Sequence, residues 1–226
     1  MIRKLDWDSI FFKIDVGECV YDSELQTQQN DDFDLLYIKS DHDFDLVLSG
    51  YTNSFSETKL VYGKKITDNQ LTNNKIISAN VFKYNLNDIY NLAYESGKHS
   101  RFLADKCFES GKFEELYHKW VDNSLDHTFA DDVFLYVEND HVLGFVTFKT
   151  HHKNATIGLL AVDTTHQGKG IGCALLQYVE LVLYSKNILT LQIPTQEANK
   201  QACEFYKKQG YSIHQTTFIK HFWKNT

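Results

Sequence analysis

The stretch HQGKGIGCALLQYVELVL, from His166 to Leu183, places three glycines immediately before the pattern of an amphipathic helix. Glycine beside a helix costs backbone entropy, so Gly168, Gly170 and Gly172 indicate a place where bare backbone is needed. A strand pattern, NATIGLLAVD, comes just before them. Strand, glycine loop and helix predict an anion-binding turn, because the first amides of a helix are unpaired and its dipole attracts negative charge.

The spacing of these glycines separates the loop from two known phosphate motifs. No Gly-Lys-Ser/Thr ends it, as a nucleotide-triphosphate loop requires, and the glycines recur every second residue instead of as G-x-G-x-x-G. A plain glycine turn is the alternative interpretation. The strand on one side and the helix on the other favour a site for a pyrophosphate.

A second pattern follows downstream, N-x-x-A-x-x-x-Y-x-x-x-G-Y, from Asn199 to Tyr211. Asn199 and Tyr206 are seven residues apart, two turns along one helical face. Such a face can present an amide and a phenol to one extended ligand. The alternative is that Asn199 caps the helix and Tyr206 packs in the core.

The order of elements in the C-terminal part is α-α-β-β-β-α-β-α-β, which predicts an α/β fold with a mixed sheet. The predicted helices and strands are Asn85–Gly97, Lys112–Leu125, the hairpin DVFLYVEND and LGFVTFKTH, Asn154–Asp163, the helix to Tyr184, Ile188–Ile193 ended by Pro194, NKQACEFYKKQG closed by Gly210, and YSIHQTTFIKHFW.

A polar, Asn-rich seam at 67–77 predicts a boundary between a small N-terminal α/β domain, residues 1–72, and a larger domain, residues 73–226. The first part reads as a strand at Asp32–Ser40, a short helix closing at Gly50 and a strand at Ser56–Ile66. Gly-Tyr followed by an aromatic-rich strand occurs in both parts. The first part is therefore a candidate truncated copy of the second, with chance similarity as the alternative.

Composition excludes several classes of function. The 226 residues include 23 basic and 30 acidic ones, a net charge of −7, which argues against a protein that coats nucleic acid. The four cysteines are scattered without a CxxC pair, so no metal site is expected. With no signal-peptide pattern and no apolar run of membrane-spanning length, the sequence predicts a cytoplasmic protein with reduced thiols and no membrane partner.

Taken together, the two motifs resemble the GNAT superfamily of acetyl-CoA-dependent N-acetyltransferases over about residues 80–226. LLAVDTTHQGKGIGCALL resembles its central motif, [QR]-x-x-G-x-[GA], and NKQACEFYKKQGY resembles its following helix. Thr164 stands where many members have proline. SRFLADKCFESGKFEELYHKWVDNSL, LDWDSIFFKID and TQEANKQACEFY further resemble the dTDP-4-amino-4,6-dideoxygalactose (dTDP-fucosamine) N-acetyltransferase family, which has a small N-terminal domain.

The resemblance implies direct transfer of an acetyl group from acetyl-CoA to the 4-amine of a nucleotide-linked amino sugar, a precursor of surface polysaccharide. Tyr206 would protonate the leaving thiolate, and Cys173 and Cys203 would be packing residues. The residues implied to bind the coenzyme are Leu160, Ala161, Val162, Gln167, Gly168, Lys169, Gly170, Ile171, Gly172, Asn199 and Tyr206.

The acceptor side is less defined by the sequence. Arg101, Phe102, Tyr117 and Trp120 are candidate acceptor residues, although helical spacing also suits Tyr117 and Trp120 to the core. The base that deprotonates the amine is open among His118, Asp126, His127 and Glu197. The acceptor could instead be another primary amine: a polyamine, an aminoglycoside or a peptide N-terminus. A non-catalytic acetyl-CoA-binding role is a further alternative, and the sequence leaves open whether the protein is a homodimer.

Overall fold

A computed structural model describes residues 2–22, 33–68 and 73–225. Its helices are α1 (Asp6–Phe12), α2 (Leu86–Ser96), α3 (Arg101–Ala104), α4 (Lys112–Leu125), α5 (Ile171–Ser185) and α6 (Lys200–Lys208), with a turn of 3-10 helix at Thr164–His166. Its strands are β1 (Arg3–Lys4), β2 (Val16–Val20), β3 (Leu35–Ser40), β4 (Tyr51–Lys65), β5 (Ile76–Ser78), β6 (Asp132–Glu138), β7 (His141–His151), β8 (Asn154–Val162), β9 (Thr190–Gln196) and β10 (Ser212–Lys224).

All of these strands form one sheet in the order β1-β2-β3-β10-β4-β9-β8-β7-β6-β5. The pairs β2/β3 and β8/β9 are parallel and the others are antiparallel. The mixed α/β class predicted from the sequence is therefore confirmed. Strand β4 lies between β9 and β10, so residues 1–72 supply an interior strand to the sheet that residues 73–226 complete. Residues 69–72, where the predicted domain boundary falls, are outside the described residues.

Two cores cover the two faces of the sheet. Neighbouring residues of one strand point to opposite faces, and Leu135 and Phe134 of β6 belong to different clusters. Leu135 packs with residues of α1 to α4, whereas Phe134 packs with those of α5 and α6. Helices therefore cover both faces, and any route through the sheet joins the α1–α4 face to the α5–α6 face.

The predicted helix closing at Gly50 is wrong. Residues 43–49 are an extended segment in which Phe44, Leu46 and Leu48 alternate with exposed neighbours. They pack on the outer end of the sheet in a third cluster with Leu36 and Ile38, among others. The similarity between the two Gly-Tyr segments thus extends to the turn and strand and does not include a helix.

Other elements and strand limits also differ from the sequence prediction. Strand β4 begins at Tyr51, five residues before the predicted start, and five short elements, α1, α3, β1, β2 and β5, were not predicted. Strand β9 runs through Pro194 to Gln196 instead of ending there. The last residue of β9 that pairs with β8 is Gln192. Pro194 comes after it, where β9 has no neighbour on its β8 side, and proline is tolerated at such an edge because its missing N–H is not needed there. Asp32, the first residue of the predicted strand before β4, lies outside the described residues.

Candidate active site

The candidate site begins where β8 and β9 separate. Their parallel pairing covers only Asn154–Thr156 against Thr190–Gln192, although β8 continues to Val162 and β9 to Gln196. A bulge against β7 lies just after the last pair: the Leu159 N–H donates to Thr147 Oγ1 at 2.9 Å. Bulges bend a strand and increase its twist, so this one turns β8 away from β9 and opens a gap in the sheet.

A cavity of about 860 Å³ passes along this gap and is lined from both faces of the sheet. The walls on the gap and the α5–α6 side include Leu159 to Val162, the glycine loop, Pro194, Asn199, Phe205 and Tyr206. The walls on the α1–α4 side include Trp7, Asp8, Glu57, Lys59, Ser100 to Phe102, Tyr117 and Trp120. One ligand can therefore contact both sets of residues.

The glycines at this site have two different structural roles. Gly168 and Gly170 are left-handed, with φ of 74° and 82°, and a Cβ atom at either position would have no heavy atom within 4 Å. Gly172 lies in α5, where a Cβ would come within 3.3 Å of the Phe205 ring. The first two glycines shape an open turn, and the third allows α5 to pack closely on α6.

The first turn of α5 offers unpaired amides to the cavity. Among the described residues no side chain caps this N-terminus, and Gly170, Ile171, Gly172 and Cys173 line the cavity. The first N–H groups of a helix lack intrahelical acceptors and carry partial positive charge. An anion such as a pyrophosphate fits this turn.

Gln167 and Asn199 fix the loop and α6 in place. Gln167 Nε2 donates to the Val162 carbonyl at 3.2 Å, and Gln201 Nε2 donates to Gln167 Oε1 at 3.0 Å. Asn199 Oδ1 accepts from the Ala202 N–H at 3.1 Å and so caps α6. Asn199 also lines the cavity, so both interpretations of this residue, helix cap and ligand contact, fit its position.

Tyr206 is buried on the α5–α6 side, 7% exposed, with its ring 5.6 Å from that of Tyr62. Burial raises the pKa of its phenol well above the ordinary value. The group is therefore a protonated hydrogen-bond donor over the whole physiological pH range. Lys169 differs from the other coenzyme candidates because its exposed side chain is outside the cavity wall.

All four acceptor candidates line the cavity, and two of them are also core residues. Tyr117 is buried, as its helical spacing suggested, whereas Trp120, of which the same was expected, is only partly buried against this core; Phe102 is buried as well. The Arg101 guanidinium lies over the rings of Tyr37 and Phe102, 4.7 and 4.8 Å from their centroids, and 3.8 Å from Glu57. These contacts hold the arginine against the wall.

The four candidate bases lie away from this cavity wall. His118 is hydrogen-bonded to Tyr94, and Asp126 accepts from the Thr128 N–H at 2.8 Å. His127 Nδ1 lies 3.2 Å from the Asp131 carbonyl oxygen. Glu197 is half exposed, 3.8 Å from Lys200. The structure therefore brings the coenzyme and acceptor candidates together, and leaves these four outside.

Four residues of the N-terminal segment complete the wall and were not found from the sequence. Trp7 and Asp8 come from α1, and Glu57 and Lys59 come from β4. Burial raises the pKa of Asp8 and Glu57, and burial together with the Arg101 charge lowers that of Lys59. Each is more than 90 residues from the glycine loop, so only the sheet order brings them to the site.

Within the described residues, no cluster of three or more His, Cys, Asp or Glu side chains is arranged to hold a metal ion. Of the helices in that part of the chain, none has the length and apolar character needed to cross a membrane.

Comparison with known proteins identifies relatives for most of the chain. The model of the acetyltransferase (GNAT) family matches residues 86–211. The spore coat polysaccharide biosynthesis protein SpsD of Bacillus subtilis is 24% identical over 135 residues, which cover 60% of this chain and 46% of SpsD. This match therefore spans less than half the length of SpsD.

Two further similarities extend the comparison. N-alpha-acetyltransferase 30 of Schizosaccharomyces pombe is 27% identical over 117 residues, covering 49% of this chain and 78% of that protein. A crystal structure of a GNAT-family protein from Novosphingobium aromaticivorans superposes with a TM-score of 0.57 at 10% identity, covering 90% of this chain and 80% of that one. At that identity the structural match shows a shared fold.

Proposed function

Because the chain belongs to the acetyltransferase (GNAT) family, whose model matches more than half of it, we propose that it moves an acetyl group from acetyl-CoA to the 4-amine of a dTDP-linked amino-deoxysugar. The observation that carries this proposal is the single cavity through the gap between β8 and β9. It joins an anion-binding turn on one face of the sheet to a wall of cationic and aromatic residues on the other.

On the coenzyme side, the amides at Gly168 to Gly172 would bind the pyrophosphate of acetyl-CoA. The end of β8 that no longer pairs with β9, at Leu160 to Val162, would hydrogen-bond the pantetheine arm and polarise the thioester carbonyl. Backbone N–H groups aimed at a developing oxyanion lower the barrier of acyl transfer strongly. The bulge in β8 leaves that strand end without a partner on its β9 side, which supports this assignment.

Transfer would be direct, from the thioester to the amine, with Tyr206 donating to the thiolate as the C–S bond breaks. A coenzyme thiol resembles a cysteine thiol, with a pKa of about 8.5, so the phenol assists a fair leaving group. A cysteine nucleophile has no support from the surroundings of Cys173 and Cys203. Cys203 is buried, and burial raises the pKa of Cys173, which disfavours a thiolate there.

On the acceptor side, Arg101 and Lys59 would bind a diphosphate, since arginine and lysine are the usual phosphate ligands. Lys98 and His99 extend this wall. Trp7 and Trp120 supply aromatic surface for the base and the sugar ring. The similarity to SpsD, named for polysaccharide biosynthesis, is consistent with a sugar acceptor.

A cationic amine is the second candidate acceptor. The same wall carries three carboxylates, on Asp8, Glu57 and Glu95, and the whole chain has a net charge of −7. A polyamine, an aminoglycoside or a peptide N-terminus would be attracted by both.

Thiol release from acetyl-CoA, measured with dTDP-4-amino-4,6-dideoxygalactose and with product mass, tests the proposal. We expect release together with a product heavier by one acetyl group. The matched control is the same nucleotide sugar with a hydroxyl in place of the 4-amine, which should release no thiol. Release with spermidine or a peptide amine, and none with the nucleotide sugar, would transfer the assignment to the second candidate.

A further inference from the structure

One buried carboxylate oxygen at the cavity has no partner. Glu57 lines the acceptor wall and its side chain is 8% exposed. Its Oε1 lies 3.8 Å from Arg101 Nη1, whereas Oε2 is buried and has no hydrogen-bond partner in the described part of the chain. Burying a carboxylate oxygen without a partner is costly, so this atom indicates a missing polar group, such as one supplied by a ligand.

The register of β4 decides which side of the sheet Glu57 faces. Leu60 and Tyr62 belong to the α5–α6 core, and Tyr62 packs on the Tyr206 ring. Side chains alternate along a strand, and β4 pairs regularly with β10 from Thr58 to Leu60. Glu57 and Lys59 therefore face the α1–α4 side, across the sheet from Tyr206.

Burial and the charged groups around Glu57 together set how readily its carboxylate takes up a proton. The groups that face it are Arg101 from α3, Lys59 from its own strand and the Tyr117 phenol from α4, with Asp8 of α1 further along the same wall. Burial raises the pKa of Glu57, and the Arg101 charge limits that rise. The carboxylate is therefore a stronger base than an exposed one, yet it is still paired with a cation.

We propose that Glu57 Oε2 binds the acceptor amine and accepts its proton during acetyl transfer. This inference rests on the proposed transfer to an amine and is independent of which amine it is. Glu57 takes one proton from the bound ammonium, the neutral amine nitrogen then forms a bond to the thioester carbon, and the C–S bond breaks. The nitrogen loses its second proton to water, and the thiolate takes a proton from Tyr206, which water protonates again, or directly from water, so that one proton is released overall. Acceptor and leaving group then have separate proton partners on opposite faces of the sheet.

The need for such a group follows from the acceptor's chemistry. A primary aliphatic amine similar to a lysine side chain has a pKa of about 10.4 and is cationic at neutral pH. Only the neutral amine has the lone pair for attack. A carboxylate first attracts the ammonium and then takes its proton, and a general base of this kind contributes about 10²- to 10⁴-fold to a rate.

The test is the pH dependence of kcat/KM for the wild type and Glu57→Gln, with whichever acceptor supports thiol release. At pH 7 we expect the variant to lose about 100-fold. The loss should shrink as pH rises, because free amine increases about tenfold per pH unit below the pKa of the amine. In the wild type, kcat/KM should show a break at low pH where Glu57 becomes protonated, whereas kcat/KM of the variant should follow the free amine at every pH and show no such break.

Controls separate this role from folding and from the Arg101 ion pair. The KM for acetyl-CoA should be unchanged in Glu57→Gln, Glu57→Asp should recover part of the rate, and Glu204→Gln, an exposed change on α6, should have no effect. An equal loss at every pH, or none, would overturn the proton-acceptor role. If the wild-type protein acetylates only another amine, the substrate assignment changes and this test is carried out with that amine. If the wild type acetylates no amine at all, both proposals are overturned.

Discussion

At the residue scale, the site depends on titratable side chains whose states are set by burial. Tyr206 stays protonated because burial raises the pKa of its phenol. His221, completely buried, stays neutral because burial lowers its pKa to about 4. Burial alone would raise the pKa of Asp105, but hydrogen bonds from His221 and Trp223 outweigh the effect of burial and lower this pKa to about 2. In the proposed reaction the Tyr206 phenol donates a proton, whereas the buried His–Asp pair contributes to stability.

Replacing Tyr206 with phenylalanine should lower kcat at least tenfold, because the leaving thiolate loses its hydrogen-bond donor. Binding of acetyl-CoA should remain, since the ring and its packing on Tyr62 are kept. Steady-state thiol release and calorimetric binding measure the two effects. Tyr184→Phe, an exposed change on α5, is the matched control, and wild-type turnover by Tyr206→Phe would remove the assigned role.

Replacing Asp105 with alanine should lower the free energy of unfolding by about 3 kcal/mol. Asp105 Oδ2 accepts from His221 Nδ1 at 2.7 Å, Trp223 Nε1 at 3.0 Å and Ser54 Oγ at 3.0 Å, so the change leaves buried donors unpaired. Urea unfolding checks this. Asp122→Ala on α4 should cost much less, and a similar cost for both would contradict the argument.

At the scale of elements, the site depends on how strands end and helices begin. The bulge at Leu159 separates β8 from β9, and the left-handed Gly170 begins α5 with free amides. A second helix, α4, also begins at a left-handed glycine, Gly111, with open space around its Cβ position. Gly111 is outside the cavity wall. A substitution at Gly111 is therefore a control for the conformational cost of replacing a left-handed glycine at the start of a helix.

Gly170→Ala should weaken acetyl-CoA binding about tenfold, because a left-handed residue with a Cβ costs about 1–2 kcal/mol and relaxation would turn the amides away from the pyrophosphate. Gly111→Ala should cost similar stability without changing coenzyme affinity. Calorimetric titration and thermal unfolding distinguish the two. If both variants bind acetyl-CoA equally well, the loop does not hold the pyrophosphate.

Local signals explain which elements could be predicted from the sequence. The glycine loop and, apart from α3, the helices and strands from α2 to β10 follow from periodicity and Gly or Asn stops within short windows. The alternation of Phe44, Leu46 and Leu48 indicates an extended segment, and the helix predicted there neglected this period of two. Glu57 and Lys59 carry no local signal, because their place at the site depends on pairing with β9 and β10, far along the chain.

At the scale of the whole molecule, the interior position of β4 is the main feature. This strand pairs with β10 along almost its whole length and with β9 from Lys59 to Lys65. It also buries Leu60 and Tyr62 in the α5–α6 core. The predicted division at residue 72 therefore separates hydrogen-bonded neighbours within one sheet, and whether the two parts fold independently is a question for experiment.

Residues 73–226 expressed alone should fail to fold cooperatively. Without β4, the facing edges of β9 and β10 lose their partner, and exposed strand edges promote aggregation. Circular dichroism, thermal unfolding and sedimentation measure the outcome, with the full chain as control. A soluble fragment with a cooperative transition would support the division at residue 72, and sedimentation of the full chain would test whether it forms a homodimer.

The position of β4 also has a consequence during protein synthesis. The strand is synthesised well before its longest partner, β10. About 150 residues separate them, which at about 5–20 residues per second is on the order of ten seconds of waiting. The first part of β4, with Thr52, Asn53, Ser54 and Ser56, is polar, which limits aggregation in that interval. The sheet therefore cannot be completed until β10 has been made, and slower elongation would lengthen the time this strand needs protection by chaperones.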